Sequence, residues 1–238
     1  MEIIIVEDDK QGCQIAFDII KDNLLNKDLK CLGFATGSSP IPLYDLLSQS
    51  DLDFSKITSI NLDEYVGLNE NDEHSYHYFM KEYLFNQKDF KVNYLPDGMA
   101  KDLQQACLDY DQIIEENPID IQILGIGNNA HIAFNEPGTP FALKTHIVDL
   151  SQSTIVANKR FFHMKEEVPE HALSMGISSI LSAKKIILFA WGKDKANAIN
   201  QMINGPITLD VPASSLQSHH DVILIIDKEA ASLLGEDD

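Results

Sequence analysis

The densest gathering of chemically useful side chains is the run Gly125-Ile126-Gly127-Asn128-Asn129-Ala130-His131-Ile132-Ala133-Phe134-Asn135-Glu136-Pro137-Gly138. It is glycine-rich and presents two asparagines, a histidine and a glutamate. Histidine changes charge closest to neutral pH, so His131 is suited to passing a proton, and Glu136 follows it at a spacing no helix explains. A lone histidine is as often structural, and from this run alone both readings stand. The start also fits G-x-G-x-x-A, with Asp149 near the distance of a ribose-binding acid. A dinucleotide site nevertheless fails on context, because Pro137 and Pro140 fall where its helix would run. No HExxH or paired Cys–His spacing is present, so no metal is expected.

Further stretches add acids, hydroxyls and cations. In Asp63-Glu64-Tyr65-Val66-Gly67 two carboxylates leave an apolar run. They read either as a helix cap or solvated turn, or as a general base whose partial burial raises its pKa. Thr36-Gly37-Ser38-Ser39-Pro40 offers a turn-forming glycine, hydroxyls and a proline suited to a first helical turn, which together aim N–H and O–H groups at an anion. An ordinary capped turn is the competing reading. Walker A is excluded by the missing Gly-Lys-Ser/Thr ending. Arg160 is the only arginine among 18 Lys+Arg, and its planar fork binds carboxylate or phosphate in a way lysine cannot copy. Lys195 follows another apolar run and is the second cationic candidate; Lys193 reads as a surface charge. His74 and His77 read as surface residues on one helix face, and His219-His220 as part of a loop.

These stretches must be held by the elements between them. Continuous apolar runs at Ile3–Val6, Lys30–Ala35, Ile57–Leu62, Ile119–Gly125, Ile186–Trp191 and Val222–Ile226 predict buried parallel strands. Val92–Leu95 reads as a short strand, and the alternating Lys144–Leu150 as an edge strand. Helical spacing at Cys13, Ala16, Ile19, Ile20 and Leu24, after a capping Asp8 or Asp9, predicts the first helix. Helices are also expected over Glu73–Phe85, over Met99 to Ile113, in Ser151–Phe162 and near Ile177–Ala183. Such alternation predicts one α/β domain over residues 1–238, an open mostly parallel sheet with helices on both faces, Rossmann-like and three-layered. Ligands of such sheets gather at the carboxyl ends of strands, where the unusual residues fall.

Composition narrows the partners. With 18 Lys+Arg against 37 Asp+Glu the formal charge is 18 − 37 = −19, which opposes nucleic acid and anionic membrane surfaces. No run approaches the ~18 apolar residues of a membrane span, and the acidic start does not read as a signal peptide. Cys13, Cys31 and Cys107 are odd in number and far apart, as reduced structural thiols of a cytoplasmic protein would be.

Taken together, these motifs resemble the glucosamine-6-phosphate deaminase (isomerase) family. The resemblance is carried by Leu32 to Pro40, Asn61 to Leu68, Ser75-Tyr76, Gly125 to Pro137, Val156 to Phe162 and Gly192 to Ala196, in family order along nearly the whole chain. It implies conversion of glucosamine 6-phosphate and water to fructose 6-phosphate and ammonia in amino-sugar catabolism, with no organic cofactor and no metal. By position, Asp63 would move the proton between C2 and C1, and His131 would assist ring opening, supported by Glu136 and Asn129. The phosphate would sit on Thr36, Gly37, Ser38 and Ser39, clamped by Arg160 and Lys195. Residues 151–171 would form a helical lid.

Departures from the family are informative. Some relatives carry Asp where Asn129 stands, leaving Glu136 as the only charge beside His131. Ala130 replaces a usual glycine and would be strained if φ is positive. Lys144–Asp149 lacks the basic residues of the activator site in longer relatives. No activation by N-acetylglucosamine 6-phosphate is therefore expected, and a monomer or small homo-oligomer is. A sugar-phosphate sensor domain and a 6-phosphogluconolactonase-like hydrolase are the rival readings. The first lacks length for a DNA-binding segment, and the second needs no carbon base at Asp63.

Overall fold

A computed structural model describes residues 1–26, 28–150 and 168–235. Arg160, the expected helix in Ser151–Phe162 and most of the expected lid lie outside the described residues.

A parallel sheet of seven strands among the described residues runs β1(Glu2–Val6)–β10(Val222–Asp227)–β9(Lys185–Ala190)–β6(Ile121–Gly125)–β2(Cys31–Phe34)–β3(Thr58–Asn61)–β5(Val92–Tyr94). Its central strands are the continuous apolar runs of the sequence and are buried on both sides. Each large aliphatic side chain so placed contributes about 1.5–3 kcal/mol. Asp8 caps α1(Asp9–Asn26), its Oδ1 accepting from Gln11 N at 2.8 Å, and Cys13, Ala16 and Ile20 turn inward. α2(Ile41–Gln49) follows Pro40, and α4(Leu103–Glu116) is capped by Asp102, whose Oδ1 accepts from Gln105 N at 3.0 Å. α4 begins later than Met99 because the segment before that cap is turn.

Strand order places the candidate site. From β2 the chain builds outward through β3 to β5, then returns to lay β6 on the other side of β2 and continues through β9 to β10. The order therefore reverses between β2 and β6, where the connections diverge and a crevice opens. Carboxyl ends of β9, β6, β2 and β3 lie side by side, and these strands lead into Lys195, His131, Thr36 and Asp63.

A second sheet was not expected. β4(Asp63–Tyr65), β8(His171–Ser174) and β7(His146–Asp149) pair antiparallel with β8 in the middle. β7 is an edge strand, as its alternation predicts, but of this smaller sheet. The expected helix over Glu73–Phe85 starts later, as α3(Tyr76–Met80), because the Ser75 side chain caps it by accepting from Tyr78 N; a π turn at Lys81–Phe85 continues it. α5 is only Ile177–Ile180, and α6(Ala196–Asn204) is an additional helix.

Candidate active site

One wall of the crevice is made by β4. The chain leaves β3 at Asn61 and enters β4 with Leu62 alone between them. Leu62 is fixed from both sheets: its N–H reaches Phe34 O at 3.2 Å, and its carbonyl accepts from Met175 N at 2.7 Å. Asp63 pairs with Ser174 and is 6% exposed. Burial, with the Glu64 carboxylate second, pushes the Asp63 carboxyl up to about 8. Hydroxyls of Tyr44, Tyr76 and Tyr110 lie within electrostatic reach of it.

Alternation along β4 sends the next carboxylate the other way. Glu64 is 1% exposed, and its Oε1 accepts from Tyr65 N at 2.8 Å and Tyr76 N at 2.9 Å. Its Oε2 accepts from His77 N at 2.9 Å and lies 2.8 Å from His77 Nδ1. Of the two adjacent acids, Glu64 thus caps the first turn of α3, while Asp63 is buried with its pKa raised, as the second sequence reading supposed. His77 is thus engaged with a buried carboxylate rather than idle on the surface. His74 precedes the helix, with Nδ1 3.1 Å from Asp72 Oδ1 and its side chain 8% exposed, which corrects the surface assignment. His219 is buried too, its Nε2 2.7 Å from Ala183 O.

The opposite wall is the Gly125–Gly138 loop, which feeds no helix. His131 N donates to Asn129 Oδ1 at 3.2 Å, while Asn129 Nδ2 donates to Glu136 Oε2 at 2.7 Å. Glu136 Oε1 lies 3.6 Å from His131 Nδ1, a charge contact longer than a hydrogen bond. Burial lowers the His131 pKa from its ordinary 6.5, with Lys195 acting the same way and Glu136 opposing. Gly127 underlies the ring: a Cβ there would stand 2.3 Å from His131 Cε1. Ala130 has φ 63° and Ala133 φ 51°, so the strain anticipated at Ala130 is present and a second left-handed alanine accompanies it. β8 ties this loop to the first wall, because Ser174 Oγ accepts from Phe134 N at 3.1 Å and Asn135 Nδ2 donates to Met175 O at 2.9 Å.

Between the walls lies the Thr36–Ser39 turn, with Gly37 at φ 90°. Trp191 Nε1 donates to Ser39 O at 3.1 Å, fixing the turn against the end of β9. Thr36 hydrogen-bonds the Tyr76 hydroxyl, which stands 3.5 Å from that of Tyr65. A cavity of about 530 Å³ extends from Gly37 and Ser38 past Tyr65 and Tyr76. Lys195 ends a 3-10 turn before α6, and its Nζ donates to Ile126 O at 2.7 Å, at the root of the histidine loop. Asp63, His131, Lys195 and the Thr36–Ser39 turn thus follow the carboxyl ends of four neighbouring strands, with Asn129 and Glu136 beside His131. Tyr76, Ser174 and Glu64 were missed as participants; Ser75-Tyr76 and Glu64 stood inside quoted motifs, whereas Ser174 carries no local signal. No cluster of three or more His, Cys, Asp or Glu able to hold a metal occurs among the described residues.

Comparison with known proteins gives a consistent result. The pattern of the family described as glucosamine-6-phosphate isomerases/6-phosphogluconolactonase matches residues 11–225. A glucosamine-6-phosphate deaminase of Streptococcus uberis is 57% identical over 98% of this chain and 100% of its own. One from Lactobacillus johnsonii is 56% identical over 98% of each. Among solved structures, a monomeric glucosamine-6-phosphate deaminase superposes with a TM-score of 0.92 at 42% identity, covering 98% of this chain and 100% of that one. A 6-phosphogluconolactonase from Leishmania guyanensis, at TM-score 0.79, 19% identity and 99% coverage of both chains, shares the fold.

Proposed function

The chain belongs to the family of glucosamine-6-phosphate isomerases and 6-phosphogluconolactonases, and from that premise we propose that it converts glucosamine 6-phosphate and water into fructose 6-phosphate and ammonia. The observation that carries this reading over lactone hydrolysis is Asp63. Lactone hydrolysis has no evident need of a base directed at carbon, whereas an aldose–ketose shift does. A buried carboxyl at the carboxyl end of β3, two strands from the one that leads into His131, supplies that base.

The substrate phosphate binds the amides and hydroxyls of Thr36, Gly37, Ser38 and Ser39, with Lys195 beside them and Arg160, on the strength of the family motif, as second clamp. Anchoring that end uses binding energy to set C1 and C2 against Asp63. Neutral His131 takes the proton of the C1 hydroxyl and delivers it to the ring oxygen as the C1–O bond of the ring breaks, with Glu136 stabilising the imidazolium formed in between. Ionised Asp63 removes the proton from C2 and returns it to C1, while one proton of the substrate ammonium passes to the C1 oxygen, leaving an iminium at C2. Water adds there, its protons pass to the nitrogen, and ammonia departs in protonated form as the C2 carbonyl forms. The scheme calls for no metal or organic cofactor.

We also place the enzyme in the cytoplasm, a reading supported by three free, buried cysteines. A monomer or small homo-oligomer without activation by N-acetylglucosamine 6-phosphate fits the monomeric relative. Incubating the protein with glucosamine 6-phosphate, and separately with 6-phosphogluconolactone, tests the activity. Ammonia and fructose 6-phosphate should appear in equal amounts. Binding without turnover would favour a sensor, and lactone hydrolysis without ammonia release a lactonase.

A further inference from the structure

Glu64 takes no part in the scheme above, yet it is buried one residue from the proposed base. All its neighbours at the carboxylate are donors: three backbone N–H groups, from Tyr65, Tyr76 and His77, and the His77 ring. An acceptor-only carboxylate makes His77 Nδ1 the protonated nitrogen. Through these bonds β4 is joined to the first turn of α3, and the Tyr76 ring that α3 begins with packs 4.9 Å from Tyr65 and hydrogen-bonds Thr36.

We infer that Glu64 is a positioning residue of the reaction, fixing β4 to α3 so that Asp63, Tyr76 and the Thr36 turn keep one geometry. The inference rests on Asp63 as the base. An amide is a poor substitute at this position, because its NH₂ would face an N–H donor wherever it is placed, and an unmade buried hydrogen bond costs more than a made one gains. A carboxylate also sets a fixed negative charge beside Asp63. Other ionisable groups within electrostatic reach of Asp63 are the hydroxyls of Tyr44 on α2, Tyr76 on α3 and Tyr110 on α4. None carries a counter-charge at neutral pH.

Charge and tether can be separated by substitution. Glu64→Gln removes the charge and one acceptor; Glu64→Asp keeps the charge but withdraws it from α3. Steady-state kinetics on glucosamine 6-phosphate across pH, with melting curves, should show the plateau kcat of Glu64→Gln reduced ~10-fold or more by misplacement of the base. KM should change less than kcat, because Glu64 reaches the Thr36 turn of the phosphate cradle only through Tyr76. The acid limb of kcat/KM should move to lower pH in Glu64→Gln and stay in place in Glu64→Asp, while the plateau falls in both. Wild-type plateau rates in the folded variants would overturn the inference, whatever their melting temperatures. If Glu64→Gln does not fold, the Glu64→Asp plateau decides alone. An active Asp63→Asn would instead sink the role of the base itself, whereas an inactive Asp63→Asn beside a wild-type-like Glu64→Gln would sink only the role of Glu64.

Discussion

The two walls of the crevice hold their ionisable groups by opposite means. On the β4 wall a carboxyl is buried among tyrosines in a strand whose register is fixed from both sides. On the loop wall an imidazole is ringed by Asn129 and Glu136 and shaped by alanines in left-handed conformations. Burial pushes both groups toward their neutral forms, the acid upward and the base downward. For Asp63 the shift leads toward neutral pH, whereas for His131 it favours the neutral imidazole that can take a proton. The strand holds its group by packing, the loop by hydrogen bonds and backbone strain, and these supports should fail differently.

Asp63→Asn is the sharpest break. Turnover should fall by roughly 10²–10⁴-fold or more, the scale of a lost acid–base catalyst. Stability should move the other way. The Asp63 pKa is raised from 3.8 to about 8, so between those values the folded protein keeps a proton the unfolded chain has released. The associated stability is full at low pH and is lost as pH rises through about 8. Asparagine escapes that loss, so the variant should melt above wild type, by more near pH 9 than near pH 5. Calorimetry at the two pH values checks this, and an equal difference at both would mean that Asp63 is not the buried acid described.

On the other wall, Gly127→Ala should act through His131 alone. A Cβ 2.3 Å from the ring forces the imidazole aside, and displacement on the scale of 1 Å costs about 10²-fold in rate. Assays started from the cyclic substrate should show this loss. Asn129→Ala removes the bridge between Glu136 and the His131 backbone, and should slow ring opening about 10-fold, as loss of one charged hydrogen bond would. An unchanged rate on cyclic substrate would remove Asn129 from the site. Smallest of all, Ala130→Gly relieves φ 63° but gives up a buried methyl, so melting should rise by no more than ~2–4 °C, equivalent to about 1 kcal/mol.

The contrast also explains what was legible in the sequence. Buried parallel strands are continuous apolar runs, so Ile119–Gly125, Ile186–Trp191 and Val222–Ile226 declare themselves, and with the first two the crevice at their carboxyl ends; Ile3–Val6 reads the same way but is an edge strand, with Ile5 54% exposed. His131, Glu136, Asp63, Lys195 and the Thr36 turn stand out by residue type. The small sheet does not, because β4 and β8 are short, carry polar residues such as Asp63, Glu64 and Ser174, and pair across distant sequence. Without β4 there is no alternation to tell which acid of Asp63-Glu64 faces the crevice. α6 escaped notice because no side chain caps it; it grows out of the 3-10 turn ending at Lys195. The left-handed Ala130 was foreseen from a family glycine, whereas Ala133 offered no such clue.

The central claim is that Asp63 carries a proton between adjacent carbons, and proton exchange at C2 of glucosamine 6-phosphate reports on it directly. In deuterated water the wild-type enzyme should yield fructose 6-phosphate with any solvent deuterium confined to one face of C1, visible by NMR. Asp63→Asn should neither exchange the C2 proton nor label C1, while His131 still opens the ring. C2 exchange by Asp63→Asn at the wild-type rate would contradict the account.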